Sequence, residues 1–203
     1  MSEIVFEDFS TPRFQIIADA VCSLYASGRT TGVVIECGHN RTAIVPVYEG
    51  SAIRNACLQL TYSGDDITEY LMKLLTDRGY DFWSQRPFLQ GNKGVAERIK
   101  QEHCYVATDD FSLELDTFLH DASSNFERSY TLPDGQTITI DTERFMAPEA
   151  FFNPNMFGLS EAGWHHRLFN SIMKCDKDLR DGLFQNIVFV CKPYSLTIKG
   201  CVC

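Results

Sequence analysis

Residues 25–40, YASGRTTGVVIECGHN, decide how the rest of the chain is organised. Gly28 and Gly32 interrupt this stretch, because glycine ends helices and adopts positive φ without steric cost. Residues 33–35 are a short apolar run, which predicts a strand buried on both faces. The polar turn 38–41 leads into a second apolar run, residues 42–50. The stretch therefore predicts the end of a helix, a tight turn and a strand hairpin.

The composition predicts an ordinary globular protein. The chain has 203 residues, of which 44% are hydrophobic and 22% charged, with a net charge of −9. Nucleic acids and anionic membranes need a basic footprint, so we expect neither as a partner. The sequence has no apolar run of bilayer length, and its acidic start does not resemble a secretory signal. We therefore expect a cytoplasmic protein.

Eight scattered cysteines leave two interpretations. One is a zinc site formed by Cys201 and Cys203 with His165 and His166. The other is a set of buried, reduced cysteines that act as small hydrophobic residues. We favour the second, because metal sites normally show paired ligand spacing and the chain has no CxxC motif.

The remaining pattern predicts an α/β protein with an α+β insertion at roughly 61–143. Apolar spacing predicts a first helix over 14–25, in which Asp19 faces either a site or solvent. Residues 80–94 are rich in Gly, Pro and Asn and predict an exposed loop. Further helices are predicted at 67–78, 95–104, 163–174 and 178–186, a hairpin at 126–140 and a buried strand at 187–190.

Several stretches together resemble actin, in actin's order and near its spacing. They are LYASGRTTG (24–32), VPVYEG (45–50), YLMKLLTDRGY (70–80), CYVA (104–107), SYTLPDGQ (129–136), ERF (143–145), APEA (147–150) and FNSIMKCD (169–176). The resemblance covers residues 6–190 and implies a partial actin/Hsp70-type, ribonuclease-H-like half-clamp. It implies that 1–60 with 144–190 form the core of the second half, including one helix of the first half at 12–27. Residues 61–143 would be the inserted α+β subdomain and 191–203 an unmatched tail.

The resemblance covers only the middle of an actin, so we expect a truncated, divergent member of the family. Actin's second phosphate hairpin reads Asp-Ser-Gly-Asp-Gly, and the matching residues here are 36–40, Glu-Cys-Gly-His-Asn. Only Gly38 is kept. His39 replaces an aspartate that helps to hold magnesium, and imidazole substitutes poorly for a hard oxygen ligand. Asn40 adds bulk where glycine lets the backbone approach phosphate.

The other catalytic positions also depart from the family pattern. Asp19 replaces the glutamine that orients the attacking water, and Ala43 replaces the assisting histidine. Lys100 matches a lysine that contacts the nucleotide in actin. The glutamate that follows this lysine in actin is replaced here by Gln101. No catalytic residue, metal ligand or certain cofactor is therefore expected, and any binding of ATP with Mg²⁺ through Gly38, Lys100 and Gln101 should be weak. An acid–base cluster of Asp19, Glu36 and His39 is a disfavoured alternative, because no nucleophile accompanies it.

The resemblance is better kept at positions that contact neighbours in an actin filament. These positions are Tyr48, Glu49, Gly50, Met156, Phe157, Asp176 and Asp178. We therefore expect a cytoskeletal protein with a structural or partner-binding role, whose partners are actin or actin-like subunits and actin-binding proteins. The alternative is an ATP-binding, filament-forming actin whose terminal segments are missing from this chain.

Overall fold

The fold is mixed α/β, as expected, in a computed structural model that describes residues 3–80, 82, 91–107, 111–112, 115–116, 127–133 and 135–191. The helices are α1 (Asp19–Ala26), α2 (Gly64–Asp77), α3 (Gly91–His103), α4 (Glu143–Glu149), α5 (Trp164–Met173) and α6 (Lys177–Gln185). The strands are β1 (Gly32–Cys37), β2 (Thr42–Tyr48), β3 (Ser51–Ala52), β4 (Leu58–Leu60), β5 (Arg128–Thr131), β6 (Thr137–Ile140) and β7 (Ile187–Cys191). Single helical turns lie at Ile4–Asp8, Arg54–Ala56 and Pro154–Phe157.

The predicted hairpin is confirmed and lies in the centre of the main sheet. β1 pairs antiparallel with β2 and parallel with β7, and the short strands β3 and β4 both pair with β2. Gly28 ends α1 with φ +75°, a conformation that glycine adopts without steric cost. A separate two-stranded sheet consists of β5 and β6, which confirms the second predicted hairpin.

Helices cover both faces of the main sheet, so every residue of β1 is buried. Val34 packs with Leu24 of α1 on one face. Val33 and Ile35 point the other way, where they pack with Ile172 of α5. Alternate residues of a strand point to opposite faces, so one apolar run supplies both cores. Full burial of each such side chain contributes about 1.5–3 kcal/mol.

The third core lies between α2, α3, the β5–β6 hairpin and α4. Its fully buried members include Leu71, Ile99 and Ile138, and Phe151 also joins it. A pair of capping residues begins α2: the backbone N–H and the hydroxyl of Ser63 donate to Asp66 Oδ2 at 2.7 and 2.8 Å. These bonds fix the start of the helix at Gly64, three residues before the predicted start at 67.

The predicted start of the first helix is wrong. Residues 14–18 lie outside any helix, and α1 begins at Asp19. Only Ala20, Val21 and Leu24 have a core to pack against, whereas Ile16 is 75% exposed. Aromatic and β-branched residues are weak helix formers, so without packing the stretch before Asp19 does not become helical.

Two further boundaries differ from the sequence-based expectation. α3 begins at Gly91, so the predicted loop does not extend to residue 94, while residues 81 and 83–90 lie outside the described part. β7 forms where predicted, but its residues are half-buried, and Ile187 is exposed. The reason is its position: among the described strands, β7 is the last of the sheet and has only β1 beside it. The predicted tail was 191–203; Cys191 instead ends β7, and residues 192–203 lie outside the described part.

Five cysteines have side chains that the structure describes; all five are free thiols, and three of them are buried. Cys37, Cys104 and Cys175 are the buried ones, and burial raises the pKa of Cys104 to about 12. These thiols therefore act as small hydrophobic residues, as we expected. The rings of His165 and His166 are tilted by 42° with centroids 4.2 Å apart, but Cys201 and Cys203 lie outside the described residues. Among the described residues, no group of three His, Cys, Asp or Glu side chains is placed to hold a metal.

Candidate functional site

A cleft of about 420 Å³ opens at the tip of the β1–β2 hairpin. The start of α1 and the end of β7 form its other walls. Its lining residues are Asp19, Ser23, Glu36, Cys37, Gly38, His39, Asn40, Arg41 and Val190. The fold thus brings together Asp19, Gly38 and His39, which the sequence singled out from separate segments.

The hairpin tip is held in place by the next helix. The carbonyl oxygens of Gly38 and His39 accept hydrogen bonds from the N–H groups of Gly64 (3.0 Å) and Asp65 (2.8 Å). These donors belong to the first turn of α2, whose N–H groups have no acceptor inside the helix. A Cβ on residue 38 would lie 2.9 Å from the carbonyl oxygen of Arg41, so the turn itself requires glycine there. Gly38 is therefore explained by the turn alone, without a ligand.

His39 lies between two carboxylates. Its Nε2 is 3.6 Å from Asp65 Oδ1 and its Nδ1 is 3.6 Å from Glu97 Oε1. Lys93 reaches the same cluster, with Nζ 2.7 Å from Asp65 Oδ1 and 2.9 Å from Glu69 Oε1. Burial lowers the pKa of Lys93, but the hydrogen bonds to Asp65 and Glu69 outweigh it and raise the pKa overall. The imidazole therefore belongs to a charge cluster of this protein's own side chains.

Asp19 lies across the cleft from the hairpin and faces Arg41. Its Oδ2 is 3.9 Å from Arg41 Nη2, and both side chains are more than half exposed. Such an exposed pair contributes little to stability, but it places a positive and a negative group at the mouth of the cleft. Glu36 is buried in the cleft lining, and Ala43, its partner in the β1–β2 register, offers no acid or base.

Lys100 does not line the cleft. Its side chain is fully buried, and Nζ donates to the carbonyl oxygen of Gly64 and to Thr68 Oγ1, both at 2.7 Å. Burial lowers the pKa of Lys100. The ammonium group therefore braces α3 against the start of α2, next to the hairpin contact. Gln101 follows it and is half-buried.

The predicted filament positions lie in three separate places. Tyr48, Glu49 and Gly50 form the exposed end of β2 and the turn that follows it. Asp176 and Asp178 are exposed at the start of α6. These five positions remain predictions, because the geometry alone does not assign them a partner.

The loop with Met156 and Phe157 turns back onto the protein. Both side chains are half-buried, and the Phe157 ring lies 5.5 Å from that of Tyr70 and 6.2 Å from that of Tyr62. Together with Tyr70 and Leu159, the two residues line a second groove of about 390 Å³. Their role as filament contacts also stays a prediction.

Sequence reasoning missed Arg41, Asp65, Lys93 and Glu97 at the cleft. A signal for one pair was present: Lys93 and Glu97 are four residues apart and share a helix face. The signal was hidden because the predicted helix began two residues after Lys93. The proximity of Asp65 to His39 needs the tertiary contact between α2 and the hairpin tip, which no local pattern contains.

Comparison with known proteins agrees with the resemblance. A family model described as Actin matches residues 1–192. Putative actin-29 of Dictyostelium discoideum is 40% identical over 192 residues, which are 93% of this chain and 47% of that relative. The chain thus spans about half the length of this curated relative. No helix among the described residues is long and apolar enough to cross a membrane. Since the family match extends over nearly all of its residues, the chain belongs to the actin family.

Proposed function

We propose that this chain is an actin-like protein with a structural or partner-binding role, and that its cleft has lost ATP hydrolysis. The observation that carries the proposal is the state of the hairpin tip. His39 lies within 3.6 Å of carboxylates from both α2 and α3. In the actin-type pattern, that position supplies an acid for the metal's water shell.

The charges around the cleft oppose a triphosphate. Asp19 and Glu36 both line it, and Asp65 and Glu97 lie beside its rim at His39. Two like charges 4 Å apart repel by about 4 kcal/mol at the effective dielectric constant of a protein surface. Arg41 supplies a guanidinium group to the lining of the cleft, and this group already pairs with Asp19. A bound triphosphate would have to displace that pair.

The residues present therefore do not fit ATP with Mg²⁺. Imidazole and amide groups at His39 and Asn40 replace the hard oxygen ligand and the open glycine of the family hairpin. Lys100 would also have to leave two hydrogen bonds at 2.7 Å to meet a nucleotide. Phosphoryl transfer depends on positioning and electrostatics, and this cleft supplies neither for a triphosphate.

A thermal unfolding experiment with MgATP tests this part of the proposal. A ligand at about 100 times its Kd stabilises the folded state by about 2.7 kcal/mol. For a chain of this size, that corresponds to a rise in Tm of about 5–10 °C. We expect no such rise at millimolar MgATP and no phosphate release above that of a boiled sample. A clear rise in Tm or steady phosphate release by the natural sequence would refute the loss of the site.

A variant that restores the family residues provides the matched comparison. It combines Asp19→Gln, His39→Asp and Asn40→Gly, which change only the cleft. We expect any nucleotide-dependent rise in Tm to be larger in this variant than in the natural sequence. An equal response of both proteins would mean that these three positions do not determine nucleotide binding.

The partner-binding role is tested by co-sedimentation with actin filaments. We propose contacts at Tyr48, Glu49 and Gly50, at Met156 and Phe157, and at Asp176 and Asp178. Asp176→Lys with Asp178→Lys should reduce the amount of this protein in the pellet. Asp181→Lys changes an exposed charge on the same helix and is the control. Absence of the natural protein from the pellet would remove the filament role.

We also propose that residues 61–143 form an inserted subdomain beside a core made of 1–60 and 144–190. This division is supported by the core cluster in which α2, α3 and the β5–β6 hairpin pack together, and which Cys37, Leu60 and Phe151 join from the other segments. Family membership supports a location in the cytoplasm with the cytoskeleton. Fluorescent tagging tests the location, and a diffuse signal that excludes actin structures would contradict it.

A further inference from the structure

The residues just before α1 form a short, largely exposed apolar arm, in which the Phe14 ring lies edge-on to the Phe6 ring at 6.5 Å. We define the arm as residues 13–18. Phe14, Ile16 and Ile17 are 39%, 75% and 46% exposed. No backbone group of residues 13–17 forms a hydrogen bond with another described residue. Adjacent large apolar side chains in contact with water usually mark an interaction surface.

The main sheet ends in an open edge at β7. In the described part of the chain, β7 pairs with β1 alone. The N–H of Val33 donates to the carbonyl oxygen of Asn186 at 2.8 Å, which orients that carbonyl towards β1. Backbone groups alternate along a strand, so those of Ile187 and Phe189 point to the open side. The β7 edge thus offers donors and acceptors to one further strand.

The arm and the β7 edge match each other in chemistry and position. The sequence of the arm, Arg-Phe-Gln-Ile-Ile-Ala, is rich in the aromatic and β-branched residues that favour strands. Ala18, its last residue, already has an extended conformation, with φ −64° and ψ 138°. Asp19 follows directly and lines the same cleft as Val190 of β7. Within the described residues, one molecule therefore carries both an unpaired extended arm and an unpaired sheet edge beside the same cleft.

We propose that two copies of this chain dimerise by exchanging arms, so that each arm adds a strand to the β7 edge of the other copy. Addition of an extended segment to an open sheet edge is a recurrent mode of protein association. In a reciprocal exchange with two-fold symmetry, each arm pairs with the β7 edge of the other copy. Both arms and both edges are then hydrogen-bonded, and no third component is needed. It also covers the exposed apolar side chains of the arm and Ile187. This assembly is independent of nucleotide and of actin filaments.

Sedimentation velocity over a range of concentrations tests the exchange. We expect the mass of the sedimenting species to rise from that of one chain to that of two chains as the concentration rises towards about 100 µM. This concentration range is suited to micromolar Kd values. Ile16→Pro should abolish the dimer, because proline has no N–H to donate to the edge. The arm lies outside any helix or strand, so this variant should fold normally. Gln15→Thr keeps the N–H and the strand preference and should leave the dimer intact.

The edge is tested separately. Ile187→Lys places a charge on the open strand, as natural edge strands often do, and should also abolish the dimer. Met173→Lys is the control, because Met173 is similarly exposed, at 42%, but lies on α5. Hydrogen exchange should show slower exchange in the arm and in β7 at high concentration only. A natural protein that stays monomeric, or a dimer that survives either Ile16→Pro or Ile187→Lys, would overturn the proposal.

Discussion

Replacing Arg78 with methionine should lower the free energy of unfolding by about 3 kcal/mol at neutral pH. Arg78 ends α2 and donates to both oxygens of Glu143, at 3.1 and 3.0 Å, and to Asp141 Oδ2 at 2.6 Å. The carboxylate side chains are only 8% and 13% exposed. Removing one partner from a buried ion pair typically costs 3–5 kcal/mol, and we take the low end because Arg78 is partly exposed.

The free energy of unfolding that Arg78→Met loses should become smaller as the pH falls. Burial alone would raise the pKa of Asp141, but the hydrogen bonds from Arg78 and Thr142 outweigh it and lower that pKa. A lowered folded-state pKa stabilises the protein above the unfolded value and loses this effect as acid protonates the group. Burial raises the pKa of Glu143, so this carboxyl can accept a proton when the cation is absent. Protonated carboxyl groups need no cation.

Urea unfolding followed by circular dichroism at about pH 7.5 and about pH 4, where these carboxyl groups begin to take up protons, measures both effects. Arg167→Met is the matched control, because Arg167 forms a single ion pair of 3.1 Å with Glu161 and is similarly exposed. We expect the control to lose less than about 1 kcal/mol. Equal losses for the Arg78 and Arg167 variants, or a loss for Arg78→Met that does not change with pH, would refute the reasoning.

Two further predictions concern stability. Burial lowers the pKa of His103, which packs on Tyr130, so the unfolded chain binds protons first and stability should fall as the pH drops below about 6.5. His103→Phe should weaken this dependence in urea unfolding, and an unchanged pH profile would contradict it. Asp66→Ala removes both hydrogen bonds to Ser63 and should cost about 1 kcal/mol, whereas a neutral effect on Tm would show that α2 does not need this cap.

The sequence predicted the main sheet well because local pattern and tertiary packing agree there. The run at 33–35 is apolar throughout, and β1 is buried throughout. Stretches whose structure depends on distant neighbours were predicted less well. Phe14, Ile16 and Ile17 have helical spacing, but all three remain exposed and join no core cluster of the described residues, so α1 begins later.

The candidate site was predicted only in part, because the position of each side chain depends on residues that are distant in the sequence. Asp19, Gly38 and His39 were chosen through the resemblance to actin, and the fold brings them to one cleft. Lys100 was chosen in the same way, but it lies in the interior, because Gly64 and Thr68 supply the acceptors for its ammonium group. A motif names the residue type at a position. It does not give the direction of the side chain once neighbouring residues have changed.

The contact between the hairpin tip and α2 also provides an experimental reporter. The amide hydrogens of Gly64 and Asp65 are bonded to the carbonyl oxygens of Gly38 and His39. Their exchange with solvent requires the turn to separate from the helix, even when α2 itself stays folded. Exchange rates at these two amides therefore measure how often the turn opens in the absence of any ligand. A molecule that enters the cleft and pulls on the turn would accelerate them, so binding could be followed from a neighbouring element.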